Sequence, residues 1–379
     1  MELFAGAGGL ALGTKKAGFD TKVMIEFDRH SCQTLRLNFG NSVEVIEDDV
    51  RKIQFNQYRD AIDVLTGGPP CQPFSIGGKA KGNSDHRNMF PPTVNAVREI
   101  APKAFIFENV RGLLRTSFSK YFEYIILQLN YPELDIKPHE SWENHLARLE
   151  DMHVNGRYDG LRYNVLYRLL NAADYGVPQK RERVFIVGFR SDIQNHWHFP
   201  EPTHSESALH YTQYITGEYW DRHKMQPIKK PGLKVQIPGL FDQGLFSPWV
   251  TTRDTITGLP DPRFHFHSEI KNHVFQPGAK SYPGHTGSLL DEPSKTLKAG
   301  DHGVPGGENM IVLDDNSLRY LTVRESARIQ TFPDHFEFPV SWTESMRQIG
   351  NAVPVDLAFV VASSVHKTLQ NHFVKQNGN

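Results

Sequence analysis

Residues 2–11 read Glu2-Leu3-Phe4-Ala5-Gly6-Ala7-Gly8-Gly9-Leu10-Ala11, a short apolar run that leads into a glycine-rich turn. A second apolar run, Lys22-Val23-Met24-Ile25, is followed by Glu26, about 20 residues beyond the first glycine, which is the spacing of a dinucleotide-type βαβ unit. Glycines allow a tight turn against a ligand, and an acidic residue after the second strand accepts both hydroxyls of a ribose. The pattern Gly6-x-Gly8-x-x-Ala11 taken alone fits NAD as well as S-adenosylmethionine.

The first half of the chain continues this alternation of apolar, strand-like runs with helical segments. The further runs are Val43-Glu44-Val45-Ile46, Asp63-Val64-Leu65, Ala104-Phe105-Ile106-Phe107 and Arg183-Val184-Phe185-Ile186-Val187-Gly188. Such alternation is typical of βαβ units and predicts an α/β domain with a mostly parallel sheet. Beyond Arg190, proline, glycine, histidine and aromatic residues become frequent, which predicts a second, loop-rich domain.

The bulk composition narrows the class of protein and its compartment. The 379 residues carry a formal net charge of −1, so no overall positive field indicates a nucleic acid or membrane partner, and any DNA contact must be local. The two cysteines, Cys32 and Cys71, form no disulfide framework, which favours a reducing compartment. No apolar run approaches the length of a membrane span and no secretory signal is recognised, so we expect a cytoplasmic protein without a membrane partner.

One cysteine lies in a conformationally restricted loop, Gly67-Gly68-Pro69-Pro70-Cys71-Gln72-Pro73-Phe74-Ser75. Prolines fix φ and glycines permit close approach of a ligand, so the thiol of Cys71 is held in one direction, as a nucleophile requires. The preceding run, Ile62-Asp63-Val64-Leu65-Thr66, predicts a buried strand, which places Cys71 after its carboxyl end, where open α/β sheets bind ligands. A buried structural thiol is the alternative.

Two further segments place charged side chains next to predicted strands. Glu108-Asn109-Val110 follows an apolar strand, where desolvation would raise the pKa of Glu108 and let it act as an acid near neutral pH. Gln179-Lys180-Arg181-Glu182-Arg183 leads into another strand, and strand alternation predicts Arg181 and Arg183 on one face. The two arginines would hold a phosphate and a carbonyl oxygen, or neutralise Glu108 in a structural ion pair.

Local signals predict several turns and helix ends. In Asp49-Val50, after the third strand, the carboxylate would accept the exocyclic amine of an adenine and the valine would pack on the ring, or the aspartate would simply cap a turn. Thr322, with glutamate three residues later, is the signature of a capping box, and the last helix is expected to begin near Pro354. The polar segment 131–158 interrupts the alternation and predicts a surface excursion, partly helical.

The order of these motifs resembles that of the DNA cytosine-5 methyltransferases, and the likeness covers both ends of the chain. It implies the S-adenosylmethionine-dependent methyltransferase fold, a Rossmann-like α/β fold with a mostly parallel sheet and helices on both faces, plus a smaller loop-rich target-recognition domain. The six blocks that carry the resemblance, in order, are Phe4 to Gly9, Pro70 to Ser75, Glu108 to Val110, Gln179 to Arg183, Arg319 to Pro333, and Gln348 to Val353.

The resemblance also implies a division of the chain by function. Residues 1–190 would form the catalytic and cofactor-binding domain, 191–316 the target-recognition domain, 317–340 a connecting hinge, and 341–379 the C-terminal helix that completes the catalytic domain. The compact form is similar to bacterial restriction-modification methylases, which implies a monomer that acts on double-stranded DNA, paired in function with a restriction endonuclease without a stable complex.

For the reaction, the resemblance implies that a cytosine is rotated out of the duplex and that the Cys71 thiolate attacks its C6 atom. This addition makes C5 nucleophilic, so that it takes the methyl group of S-adenosylmethionine. Glu108 would bind the protonated N3 edge and Arg183 the O2 carbonyl, while Arg181 would position Glu108 or a phosphate. The C5 proton then leaves and the thiol is expelled.

The resemblance assigns the remaining site residues by their match to the family's motifs. DNA contacts fall on Gln72, Ser75 and Thr296, while Lys229, Lys230, Lys234 and Arg253 are candidates for backbone contacts that a solvated face explains equally well. The histidines of the variable region lack metal-ligand spacing, so no metal site is expected. The positions matching cofactor contacts are Phe4, Gly6, Gly8, Leu10, Glu26, Phe27, Asp49, Val50, Pro70, Asn351 and Val353.

Three other functions compete with this interpretation. An NAD-linked oxidoreductase would explain the glycine turn but not the Cys71 loop, Glu108 or the paired arginines. A catalytically silent DNA-binding relative is disfavoured because all the reactive residues are present. RNA methylation is typical of a branch of the family with a Cys-Phe-Thr signature, which this chain lacks.

Overall fold

The structure is a computed structural model that describes residues 1–70, 88–193, 196–227, 245–264, 269–283, 286–300 and 309–377. Its contacts divide the chain into two compact units. The first comprises Met1–Leu170, Glu182–Phe199 and Val361–Asn379, and the second comprises Asn171–Arg181 and Pro200–Val360. These units group residues by contacts alone, so the functional division at 190, 316 and 340 stays a prediction.

The first unit is built on a seven-stranded sheet with the order β3-β2-β1-β4-β5-β7-β6. The neighbouring pairs β1·β2, β2·β3, β1·β4 and β4·β5 are parallel and β7 runs antiparallel to β5, so the predicted mostly parallel sheet is confirmed. The strands are β1 (Glu2–Leu3), β2 (Val23–Glu26), β3 (Glu44–Glu47), β4 (Val64–Gly67), β5 (Ala104–Val110), β6 (Tyr163–Asn171) and β7 (Glu182–Arg190).

Helices pack with this sheet around a shared apolar core. β5 is buried along six of its seven residues, which explains why its sequence is an unbroken apolar run up to Glu108. The core joins residues such as Leu3, Leu65 and Phe105 from neighbouring strands to the helices. The helices of this unit are α1 (Gly9–Lys16), α2 (Arg29–Phe39), α3 (Phe90–Ile100), α4 (Ser119–Asn130), α5 (Trp142–Asn155) and the later part of α11 (Val355–Asn377).

The segment 131–158 is partly helical and mostly exposed, as predicted, but it is anchored to the core. Its helix α5 buries His145, Leu146 and Leu149, and the two leucines belong to the main core of the first unit. The imidazole of His145 bonds the Tyr124 hydroxyl at 2.8 Å and the Leu134 carbonyl at 2.8 Å. The sequence did not indicate this anchoring, because a single apolar stripe on an otherwise polar helix is sufficient for it.

The second unit consists of short elements, in keeping with its proline- and glycine-rich composition. One buried cluster in it contains Leu209, Tyr219, Trp220 and Trp249. The elements are β8 (His204–Ser205), α6 (Glu206–Tyr211), a π-helical turn (Thr212–Thr216), α7 (Glu218–Arg222), β9 (Ser247–Pro248), α8 (Thr252–Ile256), β10 (Ser288–Leu289), β11 (Met310–Val312), β12 (Leu318–Tyr320), α9 (Val323–Ile329), α10 (Trp342–Asn351) and the start of α11.

Two helix ends in the C-terminal region follow the sequence signals. Thr322 and Glu325 form the predicted capping box at the start of α9, and α11 begins at Val355, directly after Pro354. The helical region Trp342–Val374 is long and apolar enough to cross a membrane by length and composition, but 61% of its apolar window is buried within the protein. Such burial is typical of a core helix, so this region is weak evidence for a membrane span.

Candidate functional site

The glycine turn after β1 has the backbone geometry of a ligand-binding loop. Gly6 and Gly8 have φ values of 55° and 80°, in the left-handed region that glycine adopts without strain. Phe4, which is not a glycine, has a φ value of 55° in the same region. A Cβ atom at Gly6 would meet no atom within 4 Å, so open space lies above it. A Cβ atom at Gly8 would instead lie 2.7 Å from the ring of Phe39, so Gly8 permits close helix packing. Gly6 therefore lets a ligand approach, and Gly8 fixes the turn that presents it.

Glu26, at the end of β2, is tied to this turn. Its carboxylate accepts the Gly6 N–H at 2.8 Å and the Asp28 N–H at 2.8 Å. Burial raises the pKa of Glu26, and these N–H groups oppose that shift by stabilising the charged form. The neighbouring Phe27 ring is 75% exposed, an unusual position for a large apolar side chain. A carboxylate with free lone pairs thus lies beside open space and an accessible aromatic ring.

The Asp49-Val50 pair shows the capping interaction that was one of its two predicted roles. Asp49 accepts the Arg51 N–H at 2.9 Å and also binds the Arg51 guanidinium, which lowers the pKa of this carboxyl to about 2. Val50 is buried in the core of the first unit, and Leu10 in α1 is also buried. Adenine binding by Asp49 remains a prediction, and its carboxylate would have to serve the cap and the ligand together.

Glu108 lies at the carboxyl end of β5 and is paired with an arginine. Its carboxylate lies 2.7 Å from Nε of Arg183, on the antiparallel neighbour β7, and both side chains are largely buried. Burial lowers the pKa of Arg183, whereas the charge of Glu108 and its hydrogen bond raise it. Arg183 also donates to the Glu182 carbonyl at 2.8 Å. The ion pair foreseen as one alternative is therefore formed, and it fixes the direction of the Glu108 carboxyl group.

The backbone that leads to Cys71 runs beside Glu108. β4 ends at Gly67, a Cβ atom at Gly68 would lie 3.4 Å from Oε2 of Glu108, and the Asn109 amide donates to the Pro69 carbonyl at 2.8 Å. Pro70 is exposed and is the last residue described before the gap. The predicted site residues Cys71, Gln72 and Ser75 lie outside the described residues.

The other cysteine, Cys32, is buried and has a structural role. Cys32 is completely buried in α2, and its thiol donates to the Glu26 carbonyl at 3.3 Å. Burial raises the pKa of this thiol to about 12, far above neutral pH. Cys32 therefore stays a thiol, which leaves Cys71 as the cysteine to consider for nucleophilic chemistry.

Arg181 does not share the environment of Arg183, so the expectation that strand alternation places them on one face is wrong. β7 begins at Glu182, and Arg181 belongs to the second unit. Its fully buried guanidinium donates to backbone carbonyls of Leu297 at 2.9 Å, Gly350 at 2.8 Å and Ala352 at 3.0 Å. Strand alternation does not apply to Arg181, because this residue lies before the first residue of β7.

Arg181 is part of a buried polar cluster of the second unit that joins three of the six motif blocks and the segment at Leu297. Gln179 donates to the Gln330 side chain at 3.0 Å and accepts the Leu297 N–H at 3.0 Å. Gln330 in turn donates to the Ile349 carbonyl at 2.6 Å. We call Gln179, Arg181 and Gln330 the polar hub. It connects segments more than 100 residues apart in sequence, as the separation of 169 between Arg181 and Gly350 illustrates.

The segment 296–299 is held from several sides. The Thr296 hydroxyl donates to the Lys180 carbonyl at 2.7 Å, so this predicted DNA contact already has one partner within the protein. The fully buried Asn309 binds both backbone groups of Lys298, at 3.0 and 2.9 Å. A Cβ atom at Gly350 would lie 2.3 Å from the Ala299 nitrogen, so only glycine fits there. Sequence reasoning missed Asn309, since one polar residue before a short strand gives no signal.

The remaining predicted residues of the second unit have contrasting environments. Asn351 is exposed at the end of α10, whereas Val353 is buried. Arg253, a candidate for DNA backbone contacts, pairs with Asp291 at 2.6 Å and with Asp314 at 2.5 Å and is only 12% exposed. Its charge is neutralised within the protein, so it is a poor phosphate ligand. Lys229, Lys230 and Lys234 lie outside the described residues.

Comparison with known proteins identifies the class that this fold and site define. The chain matches the family described as C-5 cytosine-specific DNA methylase over residues 1–139 and 148–367. The chain therefore belongs to that family and is a DNA cytosine-5 methyltransferase, as the motif order predicted. The match omits residues 140–147, which contain the start of α5.

Individual relatives agree over almost the whole chain. Type II methyltransferase M.Eco47II of Escherichia coli is 35% identical over 376 residues, covering 96% of this chain and 78% of the relative. Type II methyltransferase M.NgoPII of Neisseria gonorrhoeae is 30% identical over 376 residues, covering 98% and 96%. The solved structure of S. pombe Dnmt2 methyltransferase superposes with a TM-score of 0.57 at 18% identity, covering 98% of each chain, which shows the shared fold alone.

Proposed function

We propose that the chain transfers the methyl group of S-adenosylmethionine to C5 of a cytosine rotated out of double-stranded DNA, through a covalent bond between Cys71 and C6. The observation that carries the proposal is the buried Glu108 carboxyl group, aimed by Arg183 at 2.7 Å beside the backbone that leads to Cys71. An acid at this position is what activation of a cytosine ring requires, because C5 is a poor nucleophile until C6 has been attacked.

The chain's own residues would divide the work on the base as follows. The Cys71 thiolate forms the bond to C6, and Glu108 holds the protonated N3 edge, which stabilises the negative charge that the attack pushes into the ring. Arg183 holds Glu108 and reaches the O2 carbonyl with its remaining N–H groups. After methylation the C5 proton leaves, and the bond between Cys71 and C6 breaks.

The glycine turn and its neighbours fit S-adenosylmethionine. The absence of a side chain at Gly6 leaves space for the cofactor. The Glu26 carboxylate retains lone pairs for the ribose hydroxyls, and the exposed Phe27 ring offers a stacking surface for adenine. Bound there, the cofactor would supply the methyl group. The other predicted contacts are Phe4, Gly8, Leu10, Asp49, Val50, Pro70, Asn351 and Val353.

For Arg181 the contacts support a positioning role. Its guanidinium fixes the backbone on either side of Asn351 and the carbonyl of Leu297, next to Thr296. We infer that the polar hub sets the conformation of the two segments that present Asn351 to the cofactor and Thr296 to DNA. Gln72 and Ser75 would contact DNA from the Cys71 loop.

The biological setting proposed is protection of host DNA. The relatives are named Type II methyltransferases, which supports a methylase that modifies one specific sequence so that a partner endonuclease spares it. We propose a monomer acting on duplex DNA in the cytoplasm, with no stable complex with the endonuclease.

Transfer of a tritiated methyl group to duplex DNA and, in parallel, to tRNA tests the proposal. We expect label in DNA alone, as 5-methylcytosine at one recurring sequence when the modified sites are mapped. Label confined to tRNA, or a requirement for NAD in place of S-adenosylmethionine, would contradict it.

A further inference from the structure

The segment 111–120 stands out by its charge. It reads Arg111-Gly112-Leu113-Leu114-Arg115-Thr116-Ser117-Phe118-Ser119-Lys120, with three cations, three hydroxyls and no carboxylate, in a chain whose net charge is −1. We call these ten residues the basic strip. Its composition matches no motif discussed above, and the reaction proposed above does not use it.

The basic strip follows directly from the site. It begins at Arg111, directly after β5 ends at Val110 and three residues beyond Glu108, so it starts at the edge of the sheet where the base would be handled. The strip forms two 3-10 turns, Arg111–Leu114 and Thr116–Phe118, before α4 begins at Ser119. Leu113 is completely buried in the core of the first unit, and Phe118 packs against that core. The backbone is thereby anchored.

The charged side chains of the strip face solvent. Arg111 pairs with Glu182 at 2.6 Å, but both side chains are widely exposed, so this pair is weak. Arg115 and Lys120 are exposed, and no carboxylate among the described residues pairs with either. Thr116 and Ser117 are exposed as well. Arginine, lysine and hydroxyl groups of this kind are the side chains that bind phosphate oxygens in protein–DNA interfaces.

We propose that the basic strip binds phosphates of the DNA duplex next to the target cytosine. The inference uses the family's DNA substrate and rests on the proposed role of Glu108 for its location. Two exposed cations on an anchored backbone give phosphate contacts without ordering a loop, so they add affinity and register but no sequence information. The near-neutral net charge makes such local contacts necessary, since no overall field attracts DNA.

The test is the salt dependence of DNA binding by the double variant Arg115→Ala/Lys120→Ala. Loss of two phosphate contacts should lower the slope of log Kd against log salt concentration by about 1.8, so that wild type loses about 12-fold more affinity than the variant between 50 and 200 mM salt. The effect should be equal on target and random duplexes. The turnover number at low salt and saturating DNA should stay at the wild-type value.

Two controls separate this role from other effects of charge. Lys15→Ala/Lys16→Ala removes two exposed lysines from the last turn of α1, which runs from the carboxyl edge of the sheet toward the opposite edge. That variant should keep the wild-type slope, as should Arg115→Lys. Far-ultraviolet circular dichroism and the midpoint of thermal unfolding should match wild type for each surface variant.

The outcomes distinguish the strip from the proposed reaction. A wild-type slope in Arg115→Ala/Lys120→Ala, with the protein folded and active, would overturn the strip's role in DNA binding and would favour a different occupant, such as an acidic protein. An equal fall of the slope in the α1 control would also overturn it. Failure of wild type to methylate DNA would count against the proposed reaction instead, because the strip's effect is read from binding.

Discussion

Arg181 and Arg183 are separated by one residue, yet their guanidinium groups meet different environments. Arg183 in the first unit pairs with the Glu108 carboxylate at the edge of the sheet. Arg181 in the second unit is completely buried and donates to three backbone carbonyls, those of Leu297, Gly350 and Ala352. One short motif thus contains Arg183, which pairs with a candidate catalytic group, and Arg181, which stabilises the fold. The groups that each arginine contacts, and not its position in the motif, decide whether its role is catalytic or structural.

The comparison separates variants that should slow the reaction from variants that should loosen the protein. Altering an arginine that pairs with the candidate catalytic carboxylate should affect the rate of methyl transfer. A charge that satisfies buried carbonyls affects the free energy of unfolding, because carbonyls left without donors remain desolvated. The expected effects below run from the largest to the smallest.

Substitution Cys71→Ser should have the largest effect on the reaction. Serine lacks the easily ionised thiol, so methyl transfer should fall by at least about 10⁴-fold while binding of DNA and S-adenosylmethionine persists. Cys32→Ser is the matched control, because a serine hydroxyl can keep the bond to the Glu26 carbonyl. Tritium incorporation measures the rates. Normal turnover in Cys71→Ser would refute the assigned nucleophile.

Substitution Glu108→Gln tests the chemical half of the comparison. Glutamine keeps the shape but cannot supply the proton or the charge, so single-turnover methylation should slow by about 10²- to 10⁴-fold. Arg183→Met, which removes the group that aims Glu108, should also act mainly on the rate. Unchanged rates in both variants, with normal DNA affinity, would show that the ion pair has no part in catalysis.

Substitution Arg181→Met tests the structural half. Three carbonyls lose their donor, which should lower the free energy of unfolding by about 3 kcal/mol or more in urea titrations. Arg183→Met also leaves a buried carboxyl group without its partner, so it should cost stability too, but unlike Arg181→Met it should slow methyl transfer strongly. If Arg181→Met were as stable as wild type and merely slow, the polar hub would not be the structural element described.

The smallest expected effect is that of Gly350→Ala, which probes the same cluster without removing a hydrogen bond. The added methyl would lie 2.3 Å from the Ala299 nitrogen, so backbone must move, at about 1–3 kcal/mol of unfolding free energy. Thr343→Ala, earlier in α10, serves as the control and should change stability little. A Gly350→Ala protein with wild-type stability would mean that α10 and the segment 298–299 separate easily.

The sequence predicted those parts of the fold whose signals are local. The buried strand β5, the glycine turn and the capping box at Thr322 each depend on residues close together in the chain, and the structure has all three. Strand β6, at the edge of the sheet, was not predicted, because Asn164 and Arg168 interrupt its apolar residues. The helical part of the segment 131–158 was predicted, but the buried stripe of α5 was not, because most of the helix surface is polar.

The site was predictable only where the same locality holds. Glu26 and Glu108 follow strands, so their positions at strand ends could be read from the chain. The role of Arg181 could not, since its partners lie 116, 169 and 171 residues away. Nor did any local pattern indicate Asn309, whose side-chain amide hydrogen-bonds the backbone N–H and carbonyl of Lys298. Such contacts follow from tertiary packing, which one sequence does not encode in short patterns.

The most direct test of the central claim is a duplex in which 5-fluorocytosine replaces the target cytosine. Fluorine at C5 cannot leave as a proton does, so the bond between protein and base should become permanent once the methyl group has been transferred. We expect a denaturation-resistant adduct that forms only with S-adenosylmethionine and maps by peptide sequencing to Cys71. Active protein that methylates ordinary duplex yet forms no adduct, or an adduct at another residue, would contradict the account.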